Sequence, residues 1–298
     1  MKAKWFVALI VLVILLVSAV ACGGGEGEAG PAEEIADAAV AAYSEQETYQ
    51  FDIDISVEMD VAGVDETLEG TITVGMNGAS DKVNRRTYTN MQTSTVPSTA
   101  MEGEVEMYNM DDWVYLKAGM PGEPPIWLKW EVCLSCGGGA KLDIVGQQVD
   151  LLEDFVGVEV IGTDMVDATE CYVLEVRPEL EKLWEWLQDQ LALQNQLPVL
   201  DSNLEEVISG FAINQWIAKD TYFILKSTLD MTLTFPSSSS SCPSCGLVPP
   251  LPGESARTYD INATVMVYDT NQPVKIELPP EAEDAKEWSF TAPILGSW

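Results

Sequence analysis

Residues 51–61 read FDIDISVEMDV, with Phe51, Ile53, Ile55, Val57, Met59 and Val61 alternating with Asp52, Asp54, Ser56, Glu58 and Asp60. Successive side chains of a β-strand point to opposite faces, so this order sends every large apolar group to one side and every acid to the other. A helix would smear both sets around its axis. The stretch predicts a strand with one buried and one wetted face. Its acids read as a solvated surface, since no compact Asp-x-Asp-x-Asp-Gly loop is present to wrap calcium.

The same period continues outward. After a turn at Ala62 and Gly63, Leu68, Ile72, Val74 and Met76 oppose Glu69, Thr71 and Thr73. Strand-like runs follow at 82–91, 104–110, 113–117 and 126–132, parted by Gly, Pro, Asn and Asp clusters. A hairpin over 156–166 and 171–176 turns near Asp167, and further strands are expected at 211–218, 222–235 and 258–268. In the last group Leu229, Met231, Leu233 and Phe235 share one face. Helical spacing appears at 31–47, where Glu33 and Glu34 suit the positive end of the helix dipole, at 142–155, at 178–193 with a stripe that includes Leu183 and Leu187, and briefly at 203–209. There is no internal repeat and no alternating βαβ rhythm. About ten or eleven strands and three or four helices predict an α+β fold, one strongly curved antiparallel sheet with helices gathered on one face.

Composition narrows the chemistry. The chain has 298 residues, 48 Asp+Glu against 15 Lys+Arg, a net charge of −33 and no His. Without imidazole there is no Ser-His-Asp or Cys-His machinery and no His-ligated metal. A polyanion is repelled by nucleic acid. With 47% hydrophobic residues the chain is nevertheless built to fold. No phosphate-binding Gly loop, Gly-x-Ser-x-Gly elbow or dinucleotide fingerprint is present, and the reading is of a protein that binds rather than catalyses.

Residues 1–21 carry Lys2 and Lys4 ahead of an apolar run and then small residues, an export signal. Ala19, Val20, Ala21 and Cys22 look like a lipobox, in which Cys22 takes a lipid and becomes the new N-terminus. Residues 22–32, rich in Gly and Glu, read as a flexible tether, leaving 33–298 as one domain. This predicts a lipid-anchored monomer on the extracytoplasmic face of a cell membrane. A long insertion at 236–256, rich in Ser, Pro and Cys, interrupts the final hairpin.

Cys133 and Cys136, and Cys242 and Cys245, form two Cys-x-Ser-Cys-Gly segments. An exported protein favours disulfides there, while the four thiolates also suit Zn²⁺. Redox chemistry is disfavoured because the residues after each pair cannot promptly start a helix. Cys171 reads as a small buried hydrophobe.

The order of elements resembles the LolA/LppX/LprG-like bacterial lipoproteins and lipoprotein carriers. The resemblance rests on the lipobox, the opening helix leading into Thr48–Asp52, the aromatic strand pair Trp113–Lys117 and Trp127–Trp130, the segment Gln215–Ser227 and the closing Val274–Pro279. It implies a half-barrel whose concave face, closed by helices, holds acyl chains. Residues expected to line it are Phe51, Ile53, Ile55, Val57, Met59, Ile72, Val74, Leu229, Met231 and Leu233 on strands, with Leu183 and Leu187 on a helix. The alternation alone does not distinguish such a cavity from a closed core, which would suit a structural or partner-binding envelope protein, and a zinc module built on the four loop cysteines is a further option.

Overall fold

The computed structural model describes residues 31–62, 70–96, 103–119, 124–131, 143–154, 157–177, 208–236 and 256–288. Expectations for the signal segment, Cys22, most of the tether, the two Cys-x-Ser-Cys-Gly segments, the 178–193 helix with Leu183 and Leu187, and the interior of the 236–256 insertion lie outside the described residues.

Helix α1 (Pro31–Glu45) starts inside the stretch expected to be tether, with Pro31 at its first position and Glu33 and Glu34 in its first turn. It leads into β1 (Thr48–Ala62). There follow β2 (Gly70–Asp81), β3 (Arg86–Val96), β4 (Gly103–Met110), β5 (Trp113–Ala118) and β6 (Ile126–Glu131). Helix α2 (Ile144–Asp154) separates these from β7 (Gly157–Val166), β8 (Thr169–Arg177), β9 (Ile208–Ala218), β10 (Ile224–Pro236) and β11 (Ala256–Tyr268), and a short β12 (Lys286–Glu287) comes last. All twelve form one sheet in the order β12-β6-β5-β4-β3-β2-β1-β11-β10-β9-β8-β7. Every pairing is antiparallel except β12 with β6. The sheet is curved and open. Helix α1 joins β1 at mid-sheet and reaches the far edge strand β7, about 24 Å off on a flat sheet and within the combined span of a 15-residue helix and its link to β1.

The register carries the predicted sidedness across the whole sheet. Ile53 stands opposite Val265 on β11 and Met76 on β2, and Met76 opposite Met91 on β3. One buried cluster runs from Met91 through β1, β11 and β10 to Val176 on β8. It includes Ala32, Ala36 and Ala39 of α1 and Ile144, Val145, Val149 and Leu152 of α2. This side is called the inner face.

Several element boundaries differ from the sequence reading, among them these. Residues 82–85 form a turn: Asp81 Oδ1 accepts the Asn84 N–H at 2.9 Å and Arg85 takes φ 54°, so β3 starts at Arg86. Ile208 and Ser209, expected at the end of a helix, open β9, with Ser209 paired to Thr232. Pro236 and Ala256 pair with each other, so the insertion in the final hairpin begins after Pro236 and ends before Ala256. β12, too short to leave a periodic signal, adds a strand beyond those expected.

Candidate functional site

The strand residues expected to line a cavity do share one wall. Phe51, Ile53, Ile55, Val57, Val74, Met231 and Leu233 are buried in the cluster that includes the helices, Ile72 and Leu229 pack against it partly buried, and Met59 is half-buried on the same face. In this part of the sheet the inner face is occupied by α1 and α2.

Among the described residues, the helices do not extend along the whole face. On the wing formed by β4, β5 and β6, register places Val105 and Met107, Leu116, and Ile126, Leu128 and Trp130 on the same side as Met91. Val105, Met107, Leu116, Leu128 and Trp130 are half-buried, and Ile126 is 51% exposed. Sequence reasoning recognised these strands but not their place. The signal was the same alternation as in β1, which says nothing of what covers a face. Segment 273–285 connects β11 to the wing's edge: Arg86 Nη1 donates to Ile276 O at 3.5 Å, and the Trp288 N–H donates to Lys129 O at 2.8 Å. Trp288 meets Trp130 edge-on, with ring centroids 5.9 Å apart.

The opposite, outer face was expected to be a plain hydrated shell. It carries the acids, as the alternation requires, but it is hollowed between β11 and β5 into a groove of ≈ 1010 Å³. Asp54 and Ser56 of β1, Thr73 and Gly75 of β2, Gln92 and Ser94 of β3, Glu104 and Glu106 of β4 and Lys117 of β5 line it. Lys117 Nζ donates to Glu106 Oε1, and this bond holds the ammonium above its ordinary pKa. Beside the groove the rings of Tyr88, Tyr108 and Trp127 form a ladder, with centroid spacings of 4.8 and 6.0 Å. Tyr108 donates to Glu106 Oε2 at 3.3 Å. Burial, then the Glu106 charge, pushes its phenol well above the ordinary value.

A third cluster ties the helices to the sheet. Asp143, immediately before α2, accepts the Gly146 N–H at 2.9 Å, the Tyr49 hydroxyl at 2.8 Å, and the Tyr43 hydroxyl. Lys82 Nζ donates to Tyr43 O at 2.7 Å and lies 3.5 Å from the centre of that ring. Cys171 is fully buried, its thiol 3.5 Å from Thr169 O and its pKa raised by burial, which suits a packing role and not a nucleophile. Among the described residues no group of three or more Cys, Asp or Glu is placed to hold a metal ion, and no helix is long and apolar enough to cross a membrane.

No protein-family model matches the chain, and no curated protein does. Among solved structures it is similar to LprF of Mycobacterium bovis, with 10% identity over 85% of this chain and 99% of that one at a TM-score of 0.44. It is likewise similar to the lipoprotein LppX of Mycobacterium tuberculosis, with 11% identity, 82% and 97% coverage and a TM-score of 0.41. A putative outer membrane lipoprotein-sorting protein domain from Vibrio parahaemolyticus gives 10% identity, 82% and 95% coverage and a TM-score of 0.24.

Proposed function

We propose that the protein is a non-enzymatic envelope lipoprotein, tethered through a lipid on Cys22, that holds a lipid or other hydrophobic molecule against the inner face of its sheet. The observation that carries this reading is the half-exposed apolar wing of β4–β6, continuous across Met91 with the closed core. An acyl chain laid there leaves water at about 0.8 kcal/mol per CH₂, and a wall of Val, Met, Leu and Ile adapts to chains of different shape without a catalytic group. The acidic outer face keeps the domain away from anionic headgroups while the anchor holds it near the membrane.

Native mass spectrometry of the full chain, extracted in mild detergent, is expected to show an acyl-lipid adduct beyond the anchor. A fluorescent fatty-acyl probe is expected to bind saturably and to lose at least about tenfold in affinity, roughly 1.4 kcal/mol, in Leu116→Glu. Leu116 is half-buried, so a charge there stays wet and the melting temperature stays near that of the parent. Unchanged probe binding by the folded variant overturns the assignment. Ile55 and Leu233 are unsuitable for this test, because Asp at such buried positions would unfold the domain rather than block a site.

A second reading, a partner-binding envelope protein with a closed core, is favoured by the burial of Phe51, Ile53 and Met231 in one cluster with residues of α1 and α2. It predicts no lipid adduct and no probe binding. Thiol counting with and without reductant, beside zinc analysis, tests the roles proposed for Cys133, Cys136, Cys242 and Cys245. Disulfides predict no free thiol at these four positions before reduction, whereas a zinc module predicts stoichiometric metal.

A further inference from the structure

The groove on the outer face has no part in the function proposed above. Its volume lies at the upper end of the roughly 300–1,000 Å³ typical of small-molecule sites, and a sheet face that merely meets solvent does not need one. The floor is opened by an absence of side chain at Gly75, which faces outward between the inward Val74 and Met76. A Cβ built on Gly75 meets nothing nearer than Asp54 Oδ1, at 3.9 Å.

Register sets the rest in a row across three strand pairs. Asn90 stands opposite Glu106, Glu106 opposite Lys117, and Lys117 opposite Trp127. The row ends on an aromatic platform, with Lys117 Nζ 6.0 Å from the centre of the half-buried Trp127 ring. Of the amides, Gln92 of β3 and Asn262 of β11 line the groove itself. Carboxylates and amides along a trough, hydroxyls on its floor and an indole at one end match a ligand with hydroxyls around its rim and C–H groups on its faces. The Lys117–Glu106 pair places a cation within the lining, which disfavours a polycationic ligand that would otherwise suit so acidic a chain.

We propose that this groove binds a polyhydroxylated ligand, a short neutral glycan stretch, with its hydroxyls paired to Asp54, Gln92 and Glu104 in the groove and one ring reaching past Lys117 to stack on Trp127 beside it. The site is on the opposite side of the sheet from the apolar wing, so hydrophobic and sugar ligands are held independently.

The test uses the full chain in an amine-oxide detergent, which carries no sugar headgroup. It is titrated with a panel of linear neutral oligosaccharides and, separately, with spermidine, and ligand-observed NMR reports binding. At least one oligosaccharide is expected to bind saturably, with an affinity lowered by about tenfold or more in Trp127→Ala and unchanged in Leu116→Glu. Gly75→Ile fills the groove at a site with room for a Cβ, and β-branched residues suit strands. This variant is expected to keep or raise the melting temperature while abolishing sugar binding, which separates a blocked site from a misfolded one. Binding of spermidine but no sugar, no binding at all, or undiminished binding to Gly75→Ile each overturns the proposal.

Discussion

Asp143→Ala is expected to lower the stability of the domain by about 3 kcal/mol, through the loss of charged hydrogen bonds worth roughly 1.5–3 kcal/mol each and of a helix cap worth about 1 kcal/mol, terms that do not simply add. One carboxylate accepts from α2's own backbone at Gly146, from Tyr43 near the end of α1 and from Tyr49 on β1. It thereby holds both helices to the centre of the sheet. Removing it leaves the fully buried Tyr49 hydroxyl without this acceptor. Gly146 belongs to the same device, since a Cβ there would lie 2.5 Å from the Tyr43 hydroxyl. Urea denaturation of Asp143→Ala, with Tyr43→Phe and Tyr49→Phe and their double mutants, measures the clamp. Near-additive losses of a few tenths of a kcal/mol would show that the three elements are held elsewhere.

The same clamp gives an alkaline pH dependence. Burial and then the Asp143 charge raise the Tyr49 pKa well above its ordinary 10.0. A phenol whose folded pKa exceeds its unfolded one contributes stability that is complete below the unfolded value and is lost as pH rises past it. Burial at Tyr88 and Tyr268 acts in the same direction. Lys82 opposes it: burial lowers its pKa from 10.5, so its contribution becomes more favourable as pH rises through that shifted window. Denaturation midpoints followed upward from pH 8 are expected to fall once the pH passes about 10, where unfolded tyrosines ionise, and to fall less steeply in Tyr49→Phe. A midpoint that holds steady would place the phenols in an environment like water.

How far this could be read beforehand depended on the range of the interactions involved. The alternation of β1 is set by the pleat alone, and it recovered the buried face from Phe51 to Val57 and the acidic one from Asp52 to Asp60. Helix α1 was equally legible, because an Ala-rich stripe and an acidic first turn are local facts. Local competition explains the errors at boundaries. Asp81 draws the chain into a turn with Asn84 where a strand was expected to begin, and sheet pairing of Ser209 with Thr232 outweighs helical spacing near 203–209. The distinction that matters for function was not legible at all. Ile53 and Leu116 carry the same pattern, yet one lies under helices and the other on a half-covered wing, because coverage is decided by elements distant in sequence. The outer groove was hidden for a related reason, since Gly75 reads as a weak point in a strand until its neighbours show that it opens a floor.

Gly78→Val is expected to cost about 2–4 kcal/mol, at or beyond the upper end of the roughly 1–3 kcal/mol typical of overpacking. Gly78 lies three residues from Gly75 on the same strand, but it faces inward and stands opposite Phe51. A Cβ there would come within 2.2 Å of Tyr88 O and 2.6 Å of Phe51 Cζ. Phe51 is fully buried, so its ring has nowhere to retreat, and the carbonyl belongs to the neighbouring strand. Phe51→Leu in the Gly78→Val background is therefore expected to restore only the ring's share of the loss, leaving the clash with β3. The position also governs the wing. β4, β5 and β6 connect to the core sheet through the β2–β3 pairing, and forcing β3 away at Tyr88 re-aims everything beyond it. The milder Gly78→Ala is expected to weaken acyl-probe binding more than its stability loss implies, whereas Gly75→Ile on the outer side leaves that binding intact. Equal stability of Gly78→Ala and the parent would mean that the ring does not rest on the glycine, and the link between this contact and the wing would fall with it.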